Sequence, residues 1–299
     1  MKIGLVGLGK MGLNLALNLI DHNHTVVGYD KYLPENIVEK NISILFVDSL
    51  KKMVDSLEKP KVIWIMVPSG NPTEIVIDEL SSLLESDDIV IDGGNSRYSD
   101  SIERANRLEK LGIHLLDVGT SGGINGARNG ACLMIGGQKN AFQKLEDVFS
   151  DISIKDGYAY MGKSGSGHFV KMVHNGIEYG MMQAIGEGFD LLEASPFDFD
   201  YESVAKVWSN GSIIEGLLMR MVLDAVIKDP KLTKIKGRVD DSGEGQWTVE
   251  EALKLKISLP VITQALYSRF KSKDDDKFAE RIIAAMRKEF GGHKTYKKS

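Results

Sequence analysis

In the first half of the chain, solid apolar runs alternate with amphipathic stretches. Lys2-Ile-Gly-Leu-Val-Gly7, Thr25-Val-Val-Gly-Tyr29, Ile44-Leu-Phe-Val47, Lys61-Val-Ile-Trp-Ile-Met-Val67, Asp88-Ile-Val-Ile-Asp92, Ile113 to Val118 and Ala131 to Ile135 are too short for helices. Such runs predict strands buried on both faces of a parallel sheet. The stretches after Gly12 through Ile20, Ser49 to Leu57, Thr73 to Leu84, Ser99 to Leu111 and Lys139 to Phe149 predict the intervening helices, with short strands near Ile152 and Tyr158. Gly119 to Gly130 and Asp240 to Trp247 read as glycine-rich loops. Beyond Gly162-Lys-Ser-Gly-Ser-Gly167 the strand signal stops. Helical patterns cover His168 to Glu193, Tyr201 to Trp208, Ile213 to Ile227, Val249 to Lys256, Ile262 to Phe270 and Asp276 to Phe290. The prediction is an α/β protein: a doubly wound parallel sheet over residues 1–163, then an all-helical domain over 164–299.

One helical segment breaks the usual pattern. Lys171, His174, Asn175 and Glu178 lie at i, i+3, i+4 and i+7, with Tyr179 extending the same face, while Phe169, Val170, Met172, Val173 and Ile177 fill other directions. A polar stripe in an apolar wrapping fixes acid and base groups at set separations, as proton transfer requires. A solvated face with an incidental Lys/Glu pair is the plainer alternative.

The N-terminus carries Gly7-Leu8-Gly9-Lys10-Met11-Gly12 between the first strand and first helix, a G-x-G-x-x-G in its proper context. Gly7 permits the tight turn, Gly9 admits a pyrophosphate, and Gly12 allows helix and strand to approach, which marks a Rossmann-type dinucleotide site. The second strand ends on Asp30, 23 residues after Gly7. A carboxylate there accepts from a ribose diol and repels a 2′-phosphate, so NAD is expected over NADP, although Lys31 offsets part of that repulsion. Ligands collect beyond the carboxyl ends of such strands, which places Val67, Pro68, Ser69 and Asn95 beside the cofactor; a plain turn role for Asn95 stays open.

Composition narrows the partners. The chain has 299 residues, a net charge of −5 and no basic block beyond Lys297-Lys298, so nucleic acid is not expected. No apolar run is long enough to span a membrane, and no signal peptide precedes the first strand. A single cysteine, Cys132, excludes an internal disulfide, fits a cytoplasmic setting and is expected to be buried as a small apolar residue. No metal-ligand spacing is present.

These segments together resemble decarboxylating 6-phosphogluconate dehydrogenase, in the short form whose helical domain is not duplicated. The resemblance rests on the N-terminal fingerprint, Ile91-Asp-Gly-Gly-Asn-Ser96, Ser121-Gly-Gly123, Gly167 to Tyr179, the Gly243-Glu-Gly-Gln-Trp247 stretch and the Arg287-Lys-Glu-Phe-Gly-Gly-His293 tail. It implies oxidation and decarboxylation of 6-phosphogluconate to ribulose 5-phosphate in the pentose phosphate pathway. Lys171 is implied as base and later acid, and Glu178 as general acid. Asn95, Ser121, Gly122, Gly123, His174, Asn175 and Tyr179 are implied substrate contacts. Arg269 would hold the sugar phosphate, and Arg287 and His293 would reach the site of another subunit of a homodimer or homotetramer. Three departures stand out. Ser242 takes the place of a phosphate-binding lysine, Ile124 that of a glutamate, and Asp30 that of an Asn-Arg pair typical of NADP users. Another β-hydroxyacid dehydrogenase, of 3-hydroxyisobutyrate or tartronate semialdehyde type, and a catalytically silent NAD-binding protein are the competing readings.

Overall fold

Eight strands make one sheet: β1 (Lys2–Val6), β2 (Thr25–Tyr29), β3 (Ile44–Phe46), β4 (Val62–Ile65), β5 (Ile89–Asp92), β6 (His114–Ser121), β7 (Ala131–Gly137) and β8 (Ser153–Gly162). In this computed structural model, which describes residues 1–32 and 43–296, the spatial order is β3-β2-β1-β4-β5-β6-β7-β8. The Lys297-Lys298 pair lies outside the described residues. Every pairing is parallel except β6 with β7. The strand order reverses at β1/β4, the position at which open α/β sheets bind ligands.

Successive residues of the central strands feed opposite cores. Ile3, Leu5, Trp64, Ile91 and Leu116 pack in one cluster, and Ile63, Ile65, Val90 and Leu115 in another. That is why these strands read as unbroken apolar runs: both faces are covered. The covering helices are α1 (Lys10–Asp21), α2 (Leu50–Ser56), α3 (Asn71–Leu83), α4 (Tyr98–Glu109), α5 (Gly123–Asn129), α6 (Lys139–Lys144) and α7 (Glu146–Ile152).

The chain divides into two compact units, Met1–Asn175 and Gly176–Ser299, and the 28-residue helix α8 (Ser166–Glu193) runs from the first into the second. The second unit continues through α9 (Tyr201–Trp208), α10 (Leu217–Lys228), α11 (Glu244–Leu255), α12 (Pro260–Ser272) and α13 (Phe278–Gly291). The described side chains of α13 are all exposed, among them Phe278, Ile282, Ile283 and Met286. Among the described residues, no helix is long and apolar enough to cross a membrane.

Several local expectations are corrected. The segment 119–130 is not an open loop: β6 runs on to Ser121, where it pairs with Cys132, and α5 fills most of the rest. Helix α11 starts at Glu244, so Gly245, Gln246 and Trp247 are helical, because buried Tyr179 packs against Gly245, where a side chain would not fit. The predicted helix over Lys139 to Phe149 breaks at Leu145 into two, and α10 begins at Leu217 rather than Ile213. Cys132 is exposed, not buried: strand alternation turns Ala131 and Leu133 into the core and Cys132 away from it.

Candidate active site

The glycine turn after β1 is built as its spacing requires. Gly7 has φ +94°, and Gly12 lies so close beneath the turn that an added Cβ would sit 1.9 Å from the Gly7 carbonyl oxygen. Gly9, by contrast, faces open space, with nothing within 4 Å of the Cβ it lacks. It is the N-cap of α1 and supplies no side-chain cap, which leaves the first backbone N–H groups of Lys10, Met11 and Gly12 for an anion. Asp30 follows β2 and closes the turn from the other side. Its carboxylate accepts from the Leu8 N–H at 2.6 Å and the Tyr32 N–H at 2.8 Å. This geometry fits a dinucleotide: open space and unclaimed donors at the helix end, and a carboxylate at the end of the neighbouring strand.

Val67, Pro68 and Ser69 follow β4, and Asn95 follows β5 with its side chain exposed. The two loops are tied together from below by Arg104, which sequence reasoning overlooked. The Arg104 guanidinium is buried on α4 and donates to Glu74 Oε2 (2.8 Å), Asp92 Oδ2 (3.1 Å), Ser96 Oγ (3.2 Å) and the Gly70 carbonyl (3.4 Å). Burial alone would raise the Glu74 carboxyl, but the Arg104 and Arg107 guanidiniums together hold it below the usual glutamate range. Removing Arg104 would strand the buried Asp92 carboxylate. The bidentate fork therefore fixes both loops relative to the sheet.

Helix α8 is docked on β6 and β7 by backbone contact. A Cβ on Gly167 would lie 2.2 Å from the Asp117 carbonyl oxygen and 2.6 Å from the Gly136 nitrogen, and one on Gly119 would lie 2.3 Å from Lys171 Cβ. Asp117 caps the helix from across the strand: its carboxylate accepts from the Gly165 N–H (2.7 Å) and the His168 N–H (2.9 Å). Burial pushes this carboxyl above the ordinary aspartate range, against the pull of His168 and of the two donors. His168 is buried with Nδ1 2.7 Å from Ser101 Oγ. Neither Asp117 nor His168 announces itself in the sequence, since a lone aspartate in a strand carries no periodic or spacing signal.

One turn beyond this cap, Lys171 is buried, 7% exposed, against Gly119. Ser121 Oγ lies 3.1 Å from His174 Nε2, and His174 Nδ1 lies 2.9 Å from Asn175 Oδ1. The imidazole is thus held from both ring nitrogens, between the Ser121 hydroxyl and the Asn175 amide oxygen. Gly122 adopts φ +102° as N-cap of α5, and Gly123 and exposed Ile124 open that helix. The wrapping expected around the polar stripe is only partial: Val170 and Ile177 are exposed while Lys171 and Asn175 are buried. Helix α8 thus turns polar residues inward and some apolar ones outward.

Within the second unit, Glu178 is half-buried two turns after Lys171 on α8, and Tyr179 is buried. The Tyr179 hydroxyl donates to Asp241 Oδ1 at 2.8 Å and accepts from the Ser242 N–H at 3.3 Å. Arg269 stacks its guanidinium 3.4 Å from the Tyr179 ring centroid and donates from Nη1 to the Asp240 carbonyl at 2.9 Å. Burial raises the Tyr179 phenol above its ordinary value. Arg287 and His293 sit together on the exposed C-terminal helix and tail, 3.5 Å apart.

The strand order, the glycine turn and the buried lysine define a nicotinamide-dinucleotide dehydrogenase fold with a helical second unit. Residues 2–162 match the family model described as the NAD binding domain of 6-phosphogluconate dehydrogenase, and residues 167–298 match the 6-phosphogluconate dehydrogenase C-terminal domain. The chain belongs to the 6-phosphogluconate dehydrogenase family. It is 51% identical to the Bacillus subtilis (strain 168) protein named "Putative 6-phosphogluconate dehydrogenase YqeC", over the whole of both chains. It is 41% identical, over 100% of this chain and 99% of the relative, to the NAD(+)-dependent, decarboxylating 6-phosphogluconate dehydrogenase of Haloferax volcanii. Among solved structures, the Plasmodium falciparum 6-phosphogluconate dehydrogenase superposes with a TM-score of 0.83 at 27% identity, covering all of this chain and 66% of that one.

Proposed function

We propose that this chain oxidises and decarboxylates 6-phosphogluconate to ribulose 5-phosphate and CO2, with NAD preferred to NADP. The observation that carries the reading is Lys171: an amine buried one turn past a capped helix start, beside the Ser121–His174 pair. When bound, the nicotinamide supplies the acceptor for the hydride leaving C3 of the sugar acid. Gly7, Gly9, Gly12, the α1 N–H groups and Asp30 hold the dinucleotide, with Val67, Pro68, Ser69 and Asn95 along its nicotinamide side. Neutral Lys171 takes the C3 hydroxyl proton. The resulting 3-keto acid loses its C1 carboxylate as CO2, because the new carbonyl accepts the electron pair, and the Lys171 ammonium donates to the enolate oxygen. Glu178 then delivers a proton to C2 as Lys171 takes the enol proton back, which leaves ribulose 5-phosphate as the ketone. Ser121, Gly122, Gly123, Asn95, His174 and Asn175 orient the sugar acid, and Tyr179 and Arg269 receive its phosphate.

The NAD preference is supported by Asp30, whose carboxylate repels a 2′-phosphate, and by the NAD-dependent relative. The same reading divides the polypeptide at residue 163/164 into a cofactor domain and a helical substrate domain. It also assigns Arg287 and His293 to a neighbouring subunit's site in a homodimer or homotetramer, working in the cytoplasm. The exposed apolar face of α13 supports this assembly, since Phe278, Ile282, Ile283 and Met286 are otherwise left in water. An absorbance assay for reduced nicotinamide with 6-phosphogluconate and each cofactor in turn tests the proposal. No turnover with either cofactor refutes the reaction, and faster turnover with NADP refutes the preference. Sedimentation as a monomer at assay concentrations would remove the oligomer.

A further inference from the structure

The second unit contains an arrangement that the proposed reaction does not by itself require. Tyr179, assigned with Arg269 to the phosphate, already donates to an anion belonging to the chain. Asp241 Oδ1 accepts the Tyr179 hydroxyl proton at 2.8 Å and the Gly243 N–H at 3.1 Å. A phenol has one hydrogen to give. While Asp241 holds it, Tyr179 offers an incoming phosphate only lone pairs. Ser242, standing beside it, adds no charge to offset the carboxylate, although its hydroxyl lies 3.3 Å from the phenol oxygen. The nearest guanidinium, Arg269, is held flat on the Tyr179 ring and spends one donor on the Asp240 carbonyl. Lys273 pairs instead with the exposed Asp240 carboxylate, its Nζ 3.7 Å away.

We propose that Asp241 determines substrate affinity by competing with the substrate's phosphate for the Tyr179 hydroxyl and the Arg269 field. This rests on the phosphate assignment made above. A phosphate dianion entering here must take the phenolic hydrogen from Asp241 and then lie close to a carboxylate. Like charges this close repel even in water. The carboxylate therefore weakens capture of every phosphorylated ligand. It has no such effect on the unphosphorylated sugar acid, whose own carboxylate lies at the opposite end of the molecule. The arrangement sets a high threshold for phosphate binding and gives ready release of a phosphorylated product, since Asp241 re-forms its two hydrogen bonds as the anion leaves.

Asp241→Asn separates charge from shape. The amide oxygen still accepts from Tyr179 and from the Gly243 N–H, but the negative charge is gone. Two readouts are taken on the full-length protein: the KM for 6-phosphogluconate, and the Kd of inorganic phosphate by calorimetry, which needs no turnover. Both should fall roughly tenfold in the variant, the effect of about 1.4 kcal/mol of relieved repulsion. A residue that merely supports the fold would shift them the other way. A KM and a phosphate Kd that stay unchanged or rise overturn the proposal. Asp241→Ser, which removes both charge and acceptor, guards against an unfavourable amide orientation in the asparagine variant; phosphate binding tighter than wild type is required of it too. If the wild type does not oxidise 6-phosphogluconate at all, the proposed reaction fails. Phosphate binding then still decides whether Asp241 competes with anions.

Discussion

Replacing Gly119 by alanine is the sharpest test of how Lys171 is held. The added Cβ would lie 2.3 Å from Lys171 Cβ, 2.9 Å from Lys171 Cγ and 3.2 Å from the Gly167 carbonyl oxygen. Carbon atoms settle at about 3.5–4.0 Å, so the two Cβ atoms must separate by more than 1 Å. Lys171 Cβ cannot swing aside, because it is fixed to the helix backbone. Gly167 cannot slide along the sheet either, because it is jammed against Asp117 and Gly136. The helix must tilt or lift, and the lysine moves with it. Overpacking of this kind costs about 1–3 kcal/mol. The alanine recovers about 0.4–1 kcal/mol by restricting the unfolded chain, as Gly119 is not among the residues of positive φ. The net loss of stability is therefore small, a few degrees in melting temperature. Turnover is far more sensitive, because a misplacement of about 1 Å can cost about 100-fold in rate. The variant should melt within a few degrees of wild type and bind NADH normally by fluorescence, yet lose roughly two orders of magnitude in kcat. A kcat within about threefold of wild type would show that Lys171 tolerates displacement and that its placement against β6 is incidental.

Three further outcomes follow from the same geometry. Lys171→Met keeps the buried stem and removes the amine; turnover should fall by at least about 100-fold while NADH affinity, read by fluorescence titration, is retained, and substantial residual activity would refute the base assignment. Asp30→Ser removes the repulsion of a 2′-phosphate, so the NAD/NADP ratio of kcat/KM should drop by at least about tenfold. Because Asp30 also holds the Leu8 N–H, the KM for NAD should rise in the same variant, and an unchanged cofactor ratio would defeat the ribose argument. Asp117→Asn replaces a buried carboxyl whose folded value lies above its unfolded one, so its stabilisation is complete below the unfolded value and is lost as pH rises through the folded value. The melting-temperature advantage of wild type over this variant should therefore shrink as pH rises above the ordinary aspartate value of about 4; an advantage that grew with pH would contradict the assigned direction.

The local grammar of this chain is strong where one segment answers to one requirement. The solid apolar runs became strands, and in the central ones both faces are covered, as Ile63 and Trp64 show by packing into different cores. Gly7, Gly9 and Gly12 each occupy the place their spacing assigns, because a turn of that size leaves no alternative. The family itself could be read from motifs, and both halves of the chain match its models.

Tertiary structure decided what depends on residues distant in the chain. Asp117 and Gly165 are 48 positions apart, and the hydrogen bond that caps α8 exists only once β6 is in place. Arg104 gathers Gly70 and Glu74 from one segment and Asp92 and Ser96 from another, a pattern that no window of sequence displays. The same reason explains the corrections. Gly245 and Trp247 read as loop residues until Tyr179, from another helix, packs against Gly245 and the helix forms around it. Cys132 looked like core until strand pairing with Ser121 fixed which way it faces. Backbone propensity and periodicity are properties of neighbours along the polymer, whereas caps, buried ion pairs and facing are properties of neighbours in space.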